Sequence, residues 1–161
     1  MQDLPFWKAI LIALGIVGVA VAYIFLTSLI GLGNPWIAFV ALTVWGAMGM
    51  KMEQAPGVFL GGAIGLLISF ALAGLPELYG EAAALLPAAA IVLAIACKIK
   101  DALPVICNFG LFIFLTIGTA DIILGQKMHL QYLQDLAFGA LCLWIAPWAV
   151  MKLRSGGIAG D

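Results

Sequence analysis

Apolar residues in this chain form six long runs, and short clusters of polar residues, glycine and proline separate them. The runs occupy residues 9–30, 36–50, 56–75, 82–97, 102–120 and 136–151. An apolar run of about 20 residues is long enough to cross the hydrocarbon core of a bilayer as an α-helix. The pattern therefore predicts an all-α membrane protein, a compact bundle of six transmembrane helices that forms a single domain over residues 1–161.

The second and fourth runs are short for a membrane span. About 16 residues at about 1.5 Å of rise each give roughly 24 Å of helix, against a hydrocarbon core about 30 Å thick. Local thinning of the bilayer accommodates short helices. A broken or re-entrant helix beside a cavity is the alternative, because irregular backbone at membrane depth needs protein or water around it. The sequence favours thinning and leaves the re-entrant arrangement open.

The basic residues predict how the six helices are oriented. An even number of spans puts both termini on one side, and that side carries six of the seven lysine and arginine residues: Lys8, Lys51, Lys98, Lys100, Lys152 and Arg154. The other side carries Lys127. Because cytoplasmic loops hold the excess of Lys and Arg in membrane proteins, both termini are predicted to lie in the cytoplasm.

Composition supports the membrane prediction and excludes several classes of function. The 161 residues are 65% hydrophobic and 9% charged, with a mean hydropathy of +1.20, whereas soluble domains carry about 25% charged residues. A small domain leaves a large share of its surface exposed, so this apolar excess must face lipid. A soluble enzyme and a disordered chain are therefore excluded. The net charge of -1 offers no basic face to nucleic acid, so the bilayer is the expected partner.

The sequence contains none of the motifs that we associate with catalysis or metal binding. It has no HExxH, no Walker loop and no GxSxG. The three cysteines, Cys97, Cys107 and Cys142, form no CxxC pair, so they are predicted to be small core residues. The single histidine, His129, is predicted to be a solvated loop residue. We therefore expect no enzyme, no catalytic residues, no cofactor and no metal site.

Acidic residues lie at the ends of the apolar runs and not deep inside them. Asp121 follows the fifth run and Asp135 precedes the sixth. A charged side chain at the centre of a membrane helix costs about 2.5–3.5 kcal/mol on insertion scales, and ion-driven pumps usually accept that cost at one or two sites. The pattern argues against such a pump and favours a passive path, or no transport at all.

The third run carries a periodic stripe of glycine. Gly57, Gly61 and Gly65 recur every four residues and therefore share one helix face. Such a face lets another helix backbone approach closely, which drives helix association in lipid. Packing inside the monomer is one interpretation, and a subunit interface or a smooth pore wall is the other. A unit this small has little interior volume, so we expect a homo-oligomer.

The fifth run carries the polar residues that are the best candidates for a solute path. Proline lacks an N–H and disfavours helical geometry at the residue before it, so the helix is predicted to begin at Pro104. Asn108, Phe112 and Thr116 then lie on one face. A buried amide must find a polar partner. One possible partner is a solute, on a path lined by Pro104, Asn108, Phe112 and Thr116. The other is a second helix, to which Asn108 would form an interhelical hydrogen bond.

Two local patterns resemble a known family. One is Trp-Ile-Ala-Phe at residues 36–39, which the glycine-rich third run follows about 20 residues later. The other is Ala-Cys-Lys-Ile-Lys at residues 96–100, which leads into the fifth run. With the size and the six spans, they resemble the bacterial inner-membrane family known as domain of unknown function 1097, over about residues 9–152. The resemblance implies a multi-pass protein of the bacterial inner membrane. It implies no activity, so no functional residue is carried over.

A fainter similarity is to urea channels, whose pore-lining segment has Leu-Pro followed shortly by Pro-Phe. Leu103, Pro104 and Phe109 fit this pattern, but Asn108 stands where the second proline is expected. The chain is about half the size of such a channel and would have to pair with itself. We therefore expect a passive channel or facilitator for a small neutral solute. The alternative is a non-transporting membrane scaffold or accessory subunit.

Overall fold

A computed structural model of the protein describes residues 5–145 and 147–148. Within this part the chain is all-helical and has no strand, which confirms the predicted all-α class. The six α-helices are α1 (Phe6–Leu29), α2 (Trp36–Ala47), α3 (Ala55–Tyr79), α4 (Leu85–Ile99), α5 (Phe109–Leu124) and α6 (His129–Ala140). A π-helical turn, Leu141–Ile145, continues α6, and short 3-10 turns at Met52–Gln54 and Glu81–Ala84 precede α3 and α4.

Two helical segments of the described chain are long and apolar enough to cross a membrane. They are Met52–Tyr79 and Glu81–Ile99. The other apolar helices are shorter, at Val17–Leu29, Trp36–Ala47 and Phe109–Ile122. The predicted crossing of all six helices stays a prediction. The last part of the sixth predicted span, 149–151, and the basic residues Lys152 and Arg154 lie outside the described residues.

The centre of the fold is the contact between α3 and α5, which pack more extensively than any other two helices described. The apolar core continues from α3 towards α2 and α6, through buried residues such as Ile37, Val58, Phe114 and Leu136. In contrast, α1 and α4 lie at the periphery. The buried residues among those described on α4 are Pro87 and Ala94, so most of that helix faces outwards, as a lipid-facing helix does.

The start of α5 differs from the sequence prediction. The helix begins at Phe109 and not at Pro104, and Asn108 is its N-cap. Leu103 adopts a φ of +52°, and the N–H groups of Ile106 and Cys107 both donate to its carbonyl oxygen, at 2.9 and 2.8 Å. The prediction was wrong at this boundary. Pro104 disfavours helix at Leu103, and the chain turns there before Asn108 starts the helix.

Candidate functional site

Asn108 is bonded on all sides to backbone groups. Its amide nitrogen donates to the carbonyl oxygens of Gly57 at 2.8 Å, of Val105 at 2.9 Å and of Pro104 at 3.3 Å. Its amide oxygen accepts from the N–H groups of Gly110 at 2.8 Å and Leu111 at 3.4 Å. A side-chain amide has two N–H groups and two lone pairs, so these contacts use all of its hydrogen-bonding capacity. The side chain is 3% exposed and ties the start of α5 to α3.

The other residues of the expected solute path lie in different surroundings. Thr116 is exposed, and its hydroxyl donates to the carbonyl oxygen of Phe112 in its own helix at 2.8 Å. Phe112 is half-buried and Pro104 is exposed. None of the four path residues lines the two cavities described below. The structure therefore brings Pro104 and Asn108 together, but the polar side chains among the predicted path residues are already hydrogen-bonded within the protein.

The glycine stripe of α3 faces α5 within the monomer. A Cβ atom on Gly61 would lie 2.8 Å from the Asn108 amide oxygen and 3.0 Å from the carbonyl oxygen of Ile106. A Cβ atom on Gly57 would lie 3.1 Å from the Asn108 amide nitrogen, and one on Gly65 would overlap the carbonyl oxygen of Leu111. Because only glycine lets two helix backbones come this close, the stripe explains the tight packing of α3 and α5. These glycines are occupied by the chain's own helix.

A buried histidine–aspartate pair joins the end of α5 to the start of α6. The Nδ1 atom of His129 lies 3.1 Å from a carboxylate oxygen of Asp121, which also accepts a hydrogen bond from the Met128 N–H at 2.7 Å. The Nε2 atom of His129 lies 3.0 Å from the carbonyl oxygen of Gly118. A carbonyl only accepts, so Nε2 carries a proton there. His129 and Asp121 are each 2% exposed.

The prediction of a solvated His129 was wrong, and its physical reason is the turn before it. Gly125 ends α5 in the left-handed conformation, with a φ of +68°, and four residues later α6 begins. This short connection folds His129 back onto Asp121, which no pattern of apolar residues reveals. Asp121 and Asp135, which lie at the ends of apolar runs, are both buried inside the fold, and their place in the sequence does not show this burial.

The second buried carboxylate, Asp135, belongs to a polar cluster formed by α1, α6 and the segment between α1 and α2. Asp135 is 0% exposed, and neither of its carboxylate oxygens accepts a hydrogen bond of normal geometry. The nearby Asn34 donates its side-chain amide N–H to the side-chain oxygen of Gln131 at 3.4 Å. We call Tyr23, Asn34, Gln131 and Asp135 the Asp135 cluster.

Tyr23 is the member of the cluster that α1 contributes. It is 5% exposed, and its hydroxyl has no hydrogen-bond partner. Its ring contacts those of Phe39 and Phe138, with centroid separations of 5.6 and 5.9 Å. Gly139 leaves room for it, because a Cβ atom there would lie 3.5 Å from the Tyr23 oxygen.

A cavity of about 780 Å³ opens beside Tyr23, between α1, α2 and the turn that follows α6. We call it the α1–α2 crevice. Its walls are mostly apolar; Thr43 and Cys142 contribute polar side chains, and the hydroxyl of Tyr23 is buried. The Thr43 hydroxyl donates to the carbonyl oxygen of Phe39 at 2.9 Å. The crevice is lined by Gly15, Val19, Ala20, Tyr23, Phe39, Leu42, Thr43, Trp45, Met50, Cys142, Leu143 and Pro147.

A smaller cavity of about 250 Å³, the α3–α4 crevice, lies on the other side of the bundle. The residues that line it are aliphatic, with one proline: Ile64, Leu67, Ile68, Ala71, Leu75, Leu86, Pro87 and Ala90. It has no polar side chain in its lining to orient a polar ligand. Of these two cavities, the α1–α2 crevice is therefore the one with polar groups for a solute.

The sequence analysis missed Tyr23, Asn34 and Asp135. Asp135 and Gly139 are four residues apart, a spacing that puts both on one face of α6. No sequence pattern shows that Tyr23 of α1 packs against that face. Long-range packing of this kind depends on how the helices are arranged in three dimensions.

Comparisons of the chain with protein-family models, with curated proteins and with solved structures find no match. Among the described residues, no group of three or more His, Cys, Asp or Glu side chains is arranged to hold a metal ion. The cysteines that they include are free thiols, of which Cys142 lies in the α1–α2 crevice.

Proposed function

We propose that this chain is a multi-pass protein of the bacterial inner membrane that provides a passive path for a small solute through the α1–α2 crevice. The observation that carries the proposal is the size and position of this crevice. It follows α1 from Gly15 to Tyr23, which corresponds to a rise of about 12 Å along a helix. With both termini in the cytoplasm, its Tyr23 end faces the outer side and its Met50 end faces the inner side.

The lining supports a neutral solute. No charged side chain of the described residues lines the crevice, and apolar walls with a few polar groups are typical of sites that bind small uncharged molecules. The Thr43 hydroxyl is exposed and can accept a hydrogen bond from such a solute, whereas the Tyr23 hydroxyl is buried. The path that we propose therefore runs past Tyr23 and Thr43, and not along Asn108, Phe112 and Thr116.

Solute flux into proteoliposomes tests the proposal, with urea, glycerol, ammonia and formate as the panel. Ala20→Trp places a large ring in the α1–α2 crevice, and we expect it to lower the flux of the transported solute at least about tenfold. Ala71→Trp is the matched control, because Ala71 lines the α3–α4 crevice instead. Flux that is equal in both variants, or equal to that of empty liposomes for every solute, would overturn the proposal.

A membrane scaffold or accessory subunit is the second candidate. It is favoured by the saturated hydrogen bonding of Asn108, which leaves the fifth helix without a solute-binding group. We also propose that the protein forms a homo-oligomer. Because the glycine stripe is occupied by α5, the subunits would meet through faces other than this stripe, such as the outward faces of α1 and α4.

A further inference from the structure

The ring of His129 faces a hydrogen-bond acceptor at each of its two nitrogens. Nδ1 lies 3.1 Å from a carboxylate oxygen of Asp121, and Nε2 lies 3.0 Å from the carbonyl oxygen of Gly118. The same Asp121 oxygen accepts from the Met128 N–H at 2.7 Å. Because a carbonyl and an ionised carboxylate have no proton to give, each ring nitrogen supplies its own. The geometry therefore fits a doubly protonated imidazolium beside a carboxylate.

The pair lies inside the fold, and its two charges offset each other. His129 and Asp121 are each 2% exposed, and the ring of Phe70 on α3 lies against the imidazole with a centroid separation of 5.9 Å. Opposite charges in contact compensate for part of the hydration that each loses on burial. Because water does not reach the pair in the folded state, its proton leaves only when the connection between α5 and α6 opens.

Other titratable and charged groups come close to this pair from each neighbouring element. Tyr132 on α6 lies near Asp121. In the connection, Lys127 forms an exposed ion pair with Glu77 at the end of α3, at 2.7 Å. Since Lys127 is bound to Glu77, the positive charge that balances Asp121 comes from His129.

Loss of one proton would make the closed connection unfavourable. The lone pair of Nδ1 would then face the Asp121 carboxylate, and the buried pair would carry a net negative charge. A solvated imidazole gives up its second proton at about pH 6.5, so an open connection loses it in neutral solution. Because the closed form binds one proton more than the open form, closure weakens as the pH rises.

We propose that His129 and Asp121 form a proton-dependent latch, which holds the start of α6 against the end of α5 while the ring is doubly protonated and releases it in alkaline solution. On release the N–H bond at Nδ1 breaks and the proton goes to water. In the predicted orientation the connection lies at the outer face, where it meets the pH outside the cell. The latch does not require the proposed solute path.

Nitrogen NMR of the full chain in detergent tests the protonation state. His129 is the one histidine in the sequence, so isotope-labelled histidine reports on this ring alone. We expect both ring nitrogens to be protonated in neutral solution, and we expect Asp121→Asn to leave one of them unprotonated under the same conditions. An unprotonated Nδ1 in the wild-type protein overturns the proposal.

Thermal denaturation at different pH values tests the release. We expect the midpoint of the wild type to fall by roughly 5 °C between about pH 6 and about pH 9. His129→Gln keeps a polar side chain that does not titrate, so its midpoint should be lower at the acidic end and should change little with pH. Lys127→Gln is the matched control, because it breaks the exposed ion pair of the same connection and should keep the wild-type profile.

A pH dependence that His129→Gln retains overturns the proposal. If this variant does not fold, amide hydrogen exchange of the wild type replaces it. Exchange at the start of α6, relative to exchange in α3, should become faster as the pH rises. A ratio that stays constant contradicts the latch.

Discussion

At the level of single residues, Asn108 and Asp135 differ in what surrounds their polar atoms. Asn108 bonds to five backbone groups, and a fully bonded polar side chain holds structure together. Asp135 is also buried, but its oxygens lack hydrogen bonds. From the sequence, Asn108 was a candidate for the solute path and Asp135 was not. Asn108 lies deep in an apolar run, whereas Asp135 lies at the edge of one.

Replacing Asn108 should therefore weaken the fold and spare any flux. Asn108→Leu removes the N-cap of α5 and leaves the Gly57 carbonyl oxygen without its donor, and we expect it to destabilise the protein by about 2–4 kcal/mol. Thermal denaturation in detergent measures this as a lower midpoint. Asn108→Ser keeps a capping oxygen and should lie between wild type and Asn108→Leu. Unchanged stability together with lost flux per folded molecule would return Asn108 to the solute path.

At the level of helices, the apolar runs predicted where helices occur better than where they begin. Pro56 lies in the first turn of α3, where the N–H that proline lacks has no partner within a helix. For α5 two start signals compete, Pro104 and Asn108, and both are typical of a helix N-terminus. The side chain of Asn108 bonds to Gly57 on α3, a contact between distant segments that decides the boundary. The sequence alone does not show that these two segments come into contact.

The contact between α3 and α5 should depend on glycine at one position and not at another on the same helix. Gly65→Ala would press its Cβ atom against the Leu111 backbone and force α5 away, so we expect a clear loss of thermal stability. Gly74 has open space where a Cβ would lie, and Gly74→Ala should be neutral or stabilise by up to about 1 kcal/mol through helix propensity. Melting midpoints in detergent compare the two. Equal effects would contradict the assigned role of the stripe.

At the level of the whole molecule, the helices form a densely packed centre and a side that α1 covers with few buried residues. Tight packing of α3 and α5 forms the centre, while α1 contacts its neighbours through Tyr23 and Thr27, its buried residues among those described. The length of the apolar runs predicted the helical class, because runs of about 20 residues are typical of helices and not of strands. The crevice could not be predicted, since it is a space that α1, α2 and the end of α6 leave between them.

The proposed orientation makes a prediction for the C-terminal end of the chain and for the connection between α5 and α6. Six spans with basic residues concentrated on one side put residue 161 in the cytoplasm. A reporter that is active in the cytoplasm should work when fused after Asp161, and one that is active in the periplasm should be silent there. The same reporters fused after Lys127, in the connection between α5 and α6, should give the opposite pattern. A periplasmic signal from Asp161 would contradict six spans with this orientation.

The central claim is that the α1–α2 crevice holds water and a solute, and the thiol of Cys142 tests it most directly. Cys142 lines the crevice, whereas Cys97 and Cys107 do not. In a Cys97→Ala, Cys107→Ala variant, the rate at which a small charged thiol reagent labels Cys142 measures access from water. We expect labelling by this reagent, and a parallel loss of solute flux as the adduct fills the crevice. Labelling of Cys142 by lipid-soluble reagents alone would contradict the account, because the crevice would then be filled by lipid.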